Sequence, residues 1–168
     1  MYDFRPDSAL PKPELYRQLL NAATALTEGE PDAVANMANV AALMWEYLPD
    51  LNWAGFYRVI GDELVLGPFA GRPACIRIPM GQGVCGTAAA TRETQLVADV
   101  QAFPGHIACD AVSSSELVVP IVGGVAVVAV VDLDSPSKAR FDGEDAAGIE
   151  ALAAMLGPRL ATGLATGR

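Results

Sequence analysis

A chain of 168 residues with 11 Lys and Arg against 20 Asp and Glu carries a net charge of −9. Such a surface repels a phosphate backbone, and no basic stripe with interleaved aromatics offsets it, which excludes nucleic-acid binding. The length suits one domain that buries roughly two thirds of its unfolded surface without staples, and the most apolar run, Glu116 to Val131, is broken by Pro120, Gly123 and Gly124 and is no membrane helix.

The first thirteen residues carry Asp3, Arg5, Pro6 and Asp7 with no apolar core, so no secretory signal is visible and a cytoplasmic location is expected. Residues 1–12 read as an N-terminal arm. Pro13 opens an amphipathic helix, Glu14 to Leu26, with Leu15, Leu19, Ala22, Ala23 and Leu26 at helical spacing and Gly29 beyond its end. Pro31 and Asp32 start a second helix, in which Val34, Met37, Ala38, Ala41, Leu43, Met44, Trp45 and Leu48 are expected to face inward. Pro49 closes it.

From Trp53 the period shortens. Trp53 to Ile60 and Glu63 to Phe69 flank a Gly61-Asp62 turn and read as a β-hairpin. Ile76 to Ile78 form a short extended piece, Thr87 to Thr91 a short helix preceded by Gly81, Gly83 and Gly86, and Gln95 to Ala98 a strand. A loop from Asp99 to Ser115 follows. Glu116 to Val122 and Val125 to Asp134, dense in β-branched residues across Gly123-Gly124, form the clearest hairpin. A last helix, Glu144 to Leu160, is capped by Asp142, and Ala161 to Arg168 read as a frayed tail. The order predicts a single α+β domain over residues 1–168: one mostly antiparallel sheet, terminal helices on one face and long loops on the other.

All three cysteines and the only histidine, His106, lie between Arg72 and Glu116. Three is an odd number and leaves no closed disulfide framework. Cys109 sits on a polar loop and Cys75 beside Arg72 and Pro73, contexts that suit reactive thiols, whereas Cys85 between Val84 and Gly86 suits a buried small hydrophobe equally well. A zinc site from these groups lacks the usual Cys-x-x-Cys pairs. Asp132 and Asp134, two apart on a strand, point to one face. Pairing across Gly123-Gly124 brings Glu116 to the same end of the sheet, beside the Cys109 loop. Such a cluster binds an ammonium group or keeps one carboxyl protonated near neutral pH; a solvated strand end is the plainer use of the same pattern.

Five motifs carry a resemblance: Asn52-Trp53-Ala54-Gly55-Phe56-Tyr57, Gly81-Gln82-Gly83-Val84-Cys85-Gly86, His106-Ile107-Ala108-Cys109-Asp110, Ser114-Ser115-Glu116 and Asp132-Leu133-Asp134-Ser135. With the cysteine separations, 85 − 75 = 10 and 109 − 85 = 24, the chain resembles the free methionine-(R)-sulfoxide reductases, single GAF-type domains, from Leu15 to Leu156. Gln82 stands where lysine is common in that family and Ala54 where valine is common, both away from the implied chemistry.

The resemblance implies that Cys109 is the nucleophile and Cys75 the main resolving thiol, with Cys85 close by as a second candidate. It further implies that Glu116, Asp132 and Asp134 hold and polarise free methionine sulfoxide, while Trp53 and Tyr57 wall the pocket around its S-methyl end. A protonated carboxyl would assist as Cys109 attacks sulfur. The resulting sulfenic acid would be closed by Cys75 to a disulfide, and thioredoxin or a similar dithiol would reopen it. No metal or organic cofactor is required by that scheme, and a homodimer is in keeping with the family. The competing expectation is a GAF-type sensor that binds a small ligand or reports redox state without turnover; no output segment follows Leu164 in the sequence.

Overall fold

The computed structural model describes residues 6, 10–107 and 111–166. Six strands form one antiparallel sheet in the order β3-β2-β1-β6-β5-β4. The strands are β1 (Trp53–Ile60), β2 (Glu63–Gly71), β3 (Arg77–Pro79), β4 (Gln95–Val97), β5 (Ser115–Gly123) and β6 (Ala126–Ser135). Helices α1 (Lys12–Leu26), α2 (Ala33–Tyr47), α3 (Gly83–Thr91) and α4 (Gly143–Thr166) complete the fold. Among the described residues, no helix is long and apolar enough to cross a membrane.

The pleat divides the apolar residues into two cores. Ala54, Phe56, Leu117, Val119, Val131 and Leu133 face α1, α2 and α4, packing with Leu19, Met37, Met44, Ile149 and Leu156. Trp53, Tyr57, Val118 and Val130 face the other way, packing with Leu64, Ile78, Val84 and Cys85. Each large aliphatic side chain so buried contributes roughly 1.5–3 kcal/mol, so the sheet is held from both faces.

The expected α+β architecture is the observed one, with local corrections. In α2 the buried stripe is Ala33, Met37, Val40, Ala41, Met44 and Tyr47; Val34, Ala38 and Trp45 lie on the outward stripe, and Trp45 is 43% exposed. A period of 3.6 admits one stripe, and the Val40 and Tyr47 side chains complete it. Asp32, expected to start α2, also caps it, its carboxylate accepting from Ala35 N at 2.8 Å. Strand β4 stops at Val97, and the 99–115 stretch holds a short 3₁₀ helix, Val100–Ala102, before β5 begins at Ser115.

The third helix starts four residues earlier than expected, so Cys85 lies in its first turn and not in a loop. Gly86 permits this: a Cβ there would sit 2.4 Å from Pro79 O. The expected frayed tail is also corrected, because α4 runs through Pro158 to Thr166. Its last turns pack closely on the start of α2, where a Cβ at Gly163 would lie 2.5 Å from Pro31 O. That packing outweighs the single backbone bond lost at Pro158. Asp142 caps α4 as expected, its Oδ1 accepting from Glu144 N and Asp145 N.

Candidate active site

Backbone register builds the floor of the site. Trp53, Asp134, Glu116 and Val97 form one row across β1, β6, β5 and β4, and Gly55, Asp132, Val118 and Gln95 form the next. Residues in such rows share a face, so Glu116, Asp132 and Asp134 project together on the side away from the long helices. Gly55 keeps the floor open and lets β2 cross closely, since a Cβ there would meet Phe69 Cβ at 2.4 Å.

Helix α3 lies over this floor. Cys85 is 4% exposed, Glu116 6% and Asp132 5%. The Cys85 thiol donates to Glu116 Oε1 at 3.9 Å, and ligand atoms of Cys85, Glu116 and Asp132 all lie within 4.8 Å of one another. Asp132 Oδ1 is buried without a hydrogen-bond partner. The residues around the resulting cavity are Ile78, Gly83, Val84, Cys85, His106, Ile107, Ser113, Glu116, Asp132 and Asp134. The space left is about 20 Å³, room for roughly one water and far below the ~300–1,000 Å³ usual for a ligand pocket.

Burial dominates the electrostatics. Asp132 is pushed up to about 7 by desolvation, and Glu116 is raised well above the ordinary carboxylate range by desolvation and then by Asp132 and Asp134. Desolvation also raises the Cys85 thiol, with Asp132 and Glu116 adding to it. His106 Nε2 lies 3.9 Å from Glu116 Oε2, and desolvation lowers its pKa, so the ring faces the acids as a neutral imidazole. Cys85, Glu116 and Asp132 are spaced to hold a cation, but burial raises the pKa of all three, so a metal would have to compete with protons for them. The arrangement suits proton donation to a bound oxygen or hydrogen bonding to a polar ligand.

Cys75 is disulfide-bonded and packs against the same apolar cluster as Cys85, which is a free thiol. Cys109 lies outside the described residues. Trp53 and Tyr57 do not line the cavity: Trp53 stacks between Phe69, 5.2 Å away, and Tyr57, 5.8 Å away. Their polar atoms reach the Cys75 segment, Trp53 Nε1 donating to Arg72 O at 3.2 Å and the Tyr57 hydroxyl to Cys75 O at 3.0 Å. Of the site residues expected from sequence, the three carboxylates and Cys85 meet at the cavity.

Residues 13–158 match the GAF domain family. Over 151 residues the chain is 50% identical to free methionine-R-sulfoxide reductase of Escherichia coli, covering 90% of this chain and 92% of that protein. The chain belongs to the free methionine-R-sulfoxide reductase family of GAF domains. The family enzyme of Saccharomyces cerevisiae is 43% identical over 157 residues, 89% of this chain and 87% of its own. A solved family member, that of Neisseria meningitidis in complex with its substrate, matches with a TM-score of 0.92 at 43% identity, covering 98% of this chain and 99% of that one.

Sequence reasoning within this family pattern missed His106 and Ser113 as cavity residues. His106 was visible as the single histidine, two residues before Ala108. Ser113 had no signal of its own; it is held by Asn52, whose Nδ2 donates to Ser113 Oγ at 2.9 Å while its backbone N–H donates to Asp134 O at 3.0 Å. Asn52 thus ties the loop bearing Ser113 to the carboxylate strand.

Proposed function

We propose that this chain reduces free L-methionine (R)-S-oxide to L-methionine, using a cysteine pair that a dithiol protein such as thioredoxin recycles. The observation that supports the reading is a pair of buried carboxyls, Glu116 and Asp132, raised in pKa by desolvation and lying with Asp134 in a cavity lined by Cys85 and by His106 and Ile107. A chain 50% identical bears the same activity in its name, and a structural relative at TM-score 0.92 was solved with its substrate.

In this scheme Glu116, Asp132 and Asp134 receive the sulfoxide oxygen, and one of them delivers its proton while the Cys109 sulfur attacks the substrate sulfur. The sulfoxide oxygen ends on Cys109 as a sulfenic acid, and methionine leaves reduced. Cys75 then attacks the Cys109 sulfur, releasing water and closing the disulfide. That Cys75 is disulfide-bonded while Cys85 is free supports this order of thiols. The incoming dithiol opens the bond by exchange. Neighbouring anions raise the pKa of a thiol, so an acid cluster that holds its protons also serves the nucleophile.

The disulfide state leaves about 20 Å³ over the acids, so reduction must widen the site before substrate enters. Lifting the 72–76 segment would uncover the Trp53 and Tyr57 rings as an apolar wall for the S-methyl group. An enclosed site floored by carboxyl groups favours a free amino acid, whose ammonium can donate to them, over a peptide. Mixing the protein with racemic free methionine sulfoxide and a dithiol, then separating the enantiomers, tests the proposal. Loss of the R form alone is expected. If neither form is consumed, the reading fails and ligand sensing takes its place.

A further inference from the structure

The polar atoms of Trp53 and Tyr57 have no use in an apolar wall, yet both are aimed at the main chain around the redox cysteine. Residues 72–76 connect β2 to β3 without regular structure, and Ile76 is 70% exposed. Hydrogen bonds that anchor this connection include Trp53 Nε1 to Arg72 O, Tyr57 hydroxyl to Cys75 O, and Leu66 N to Ile76 O at 2.9 Å. Both aromatic donors stand on β1, which is paired on either side by β2 and β6, and are 2% and 1% exposed. Gly71 turns the chain sharply over the indole, with φ of +134°, where a Cβ would sit 2.8 Å from Trp53 Cδ1.

We propose that Tyr57, with Trp53 beside it, is a positioning residue for disulfide closure: the two side-chain donors hold the Cys75 main chain in the place where its sulfur meets its partner. A disulfide requires a Cα separation of about 4.4–6.8 Å and a narrow range of torsions, and an irregular segment meets that only if something orders it. The rigid middle of the sheet supplies the order. Burial and the neighbouring acids raise the Tyr57 pKa, so its hydroxyl remains a donor throughout the cycle. The inference rests on the reading in which Cys75 resolves a sulfenic acid on Cys109.

Tyr57→Phe and Trp53→Phe keep an aromatic ring and remove the donor, which separates tethering from the wall role. Reduced protein is treated with one equivalent of hydrogen peroxide. The Cys109 thiol becomes a sulfenic acid with release of one water, and condensation with the Cys75 thiol gives the disulfide and a second water. Closure is followed by alkylation and mass spectrometry, the sulfenic acid by dimedone trapping, and the closed–open balance by equilibration with dithiothreitol. Removing one hydrogen bond predicts about fivefold slower closure in Tyr57→Phe, more dimedone adduct, and about a fivefold shift toward the dithiol. Trp53→Phe shifts all three in the same direction.

Tyr47→Phe, a buried tyrosine on α2 in the opposite core, is the control and is expected to close at the unaltered rate. Closure at the unaltered rate with an unaltered balance in Tyr57→Phe overturns the proposal, as does equal slowing in Tyr47→Phe. Peroxide replaces methionine sulfoxide here, so a protein that consumes no sulfoxide but closes slowly as Tyr57→Phe would sink the functional reading and leave the tether standing.

Discussion

Glu116 on β5 and Asp134 on β6 are direct cross-strand partners, with Asp132 one row further along the same face. Like charges opposed across strands destabilise a sheet, and in a desolvated setting two fully ionised carboxylates there are not sustainable. The fold therefore keeps protons on this cluster at pH values where surface acids have lost theirs. Burial, together with this opposition, sets how stability and turnover respond to pH.

Asp132 in the folded chain is pushed up to about 7 by burial, against ~4 for an unfolded aspartate. Between those values the folded chain holds a proton that the unfolded chain has released, so stability falls as pH rises. The contribution is fully present below the unfolded value and lost through the folded one. Asp132→Asn should flatten this dependence by about 1.4 kcal/mol per pH unit across that window. Urea denaturation at pH 5 and pH 8, with the disulfide intact, measures it; equal slopes in both proteins would show that Asp132 keeps an ordinary pKa.

Turnover follows the same proton. If a carboxyl of the cluster is the acid, the rate with free methionine sulfoxide declines as pH rises past about 7, because the donor has lost its proton. Asp132→Asn and Glu116→Gln should each lower kcat by about a hundredfold, the lower end of what a general acid contributes. Kinetics unchanged in either variant would remove that residue from the chemistry.

Cys85 presents the opposite behaviour from an attacking thiol. It is 4% exposed and desolvation holds it protonated, which suppresses thiolate chemistry. With the disulfide intact, an aromatic disulfide reagent should find no thiol in the native protein and one after denaturation. Rapid labelling of the native form would mean that α3 opens freely over the acids.

Far from the site, Asp145 is 1% exposed and gathers Tyr16 Oη at 2.8 Å, Lys12 Nζ at 2.6 Å, Arg140 Nη1 at 3.1 Å and Asp142 N at 2.8 Å. This network ties α1 to the start of α4. Asp145→Ala strands buried donors and should cost about 3–5 kcal/mol, read as a lowered Tm, while turnover below the transition stays near that of the parent.

Much of the floor of the site could be read from residues alone. Asp132 and Asp134 share a face because strands have period two, and the Gly123-Gly124 turn places Glu116 opposite them despite a register shift between Ile121 and Val122. The roof was less legible. Gly83 and Gly86 suggested a loop, but their lack of side chains is what allows α3 to begin early against Pro79 and Ile107. Trp45 was expected inside because of its type, whereas helical phase decides its side. The polar reach of Trp53 and Tyr57 toward 72–75 has no sequence signature, since it depends on where an irregular segment passes above β1.

The strand order has a dynamic consequence. Since β1 and β6 occupy the middle of the sheet, the amides beside Asp132 and Tyr57 should exchange with solvent only when the whole sheet opens, whereas those of the irregular 72–76 connection should exchange through local opening. Deuterium uptake should divide the molecule accordingly, with a slow class for the acid floor and a fast class for the thiol-bearing connection. Chemistry that needs a fixed proton donor and a sulfur that changes partner is thereby divided between the rigid floor and a connection tied to it by two side-chain hydrogen bonds.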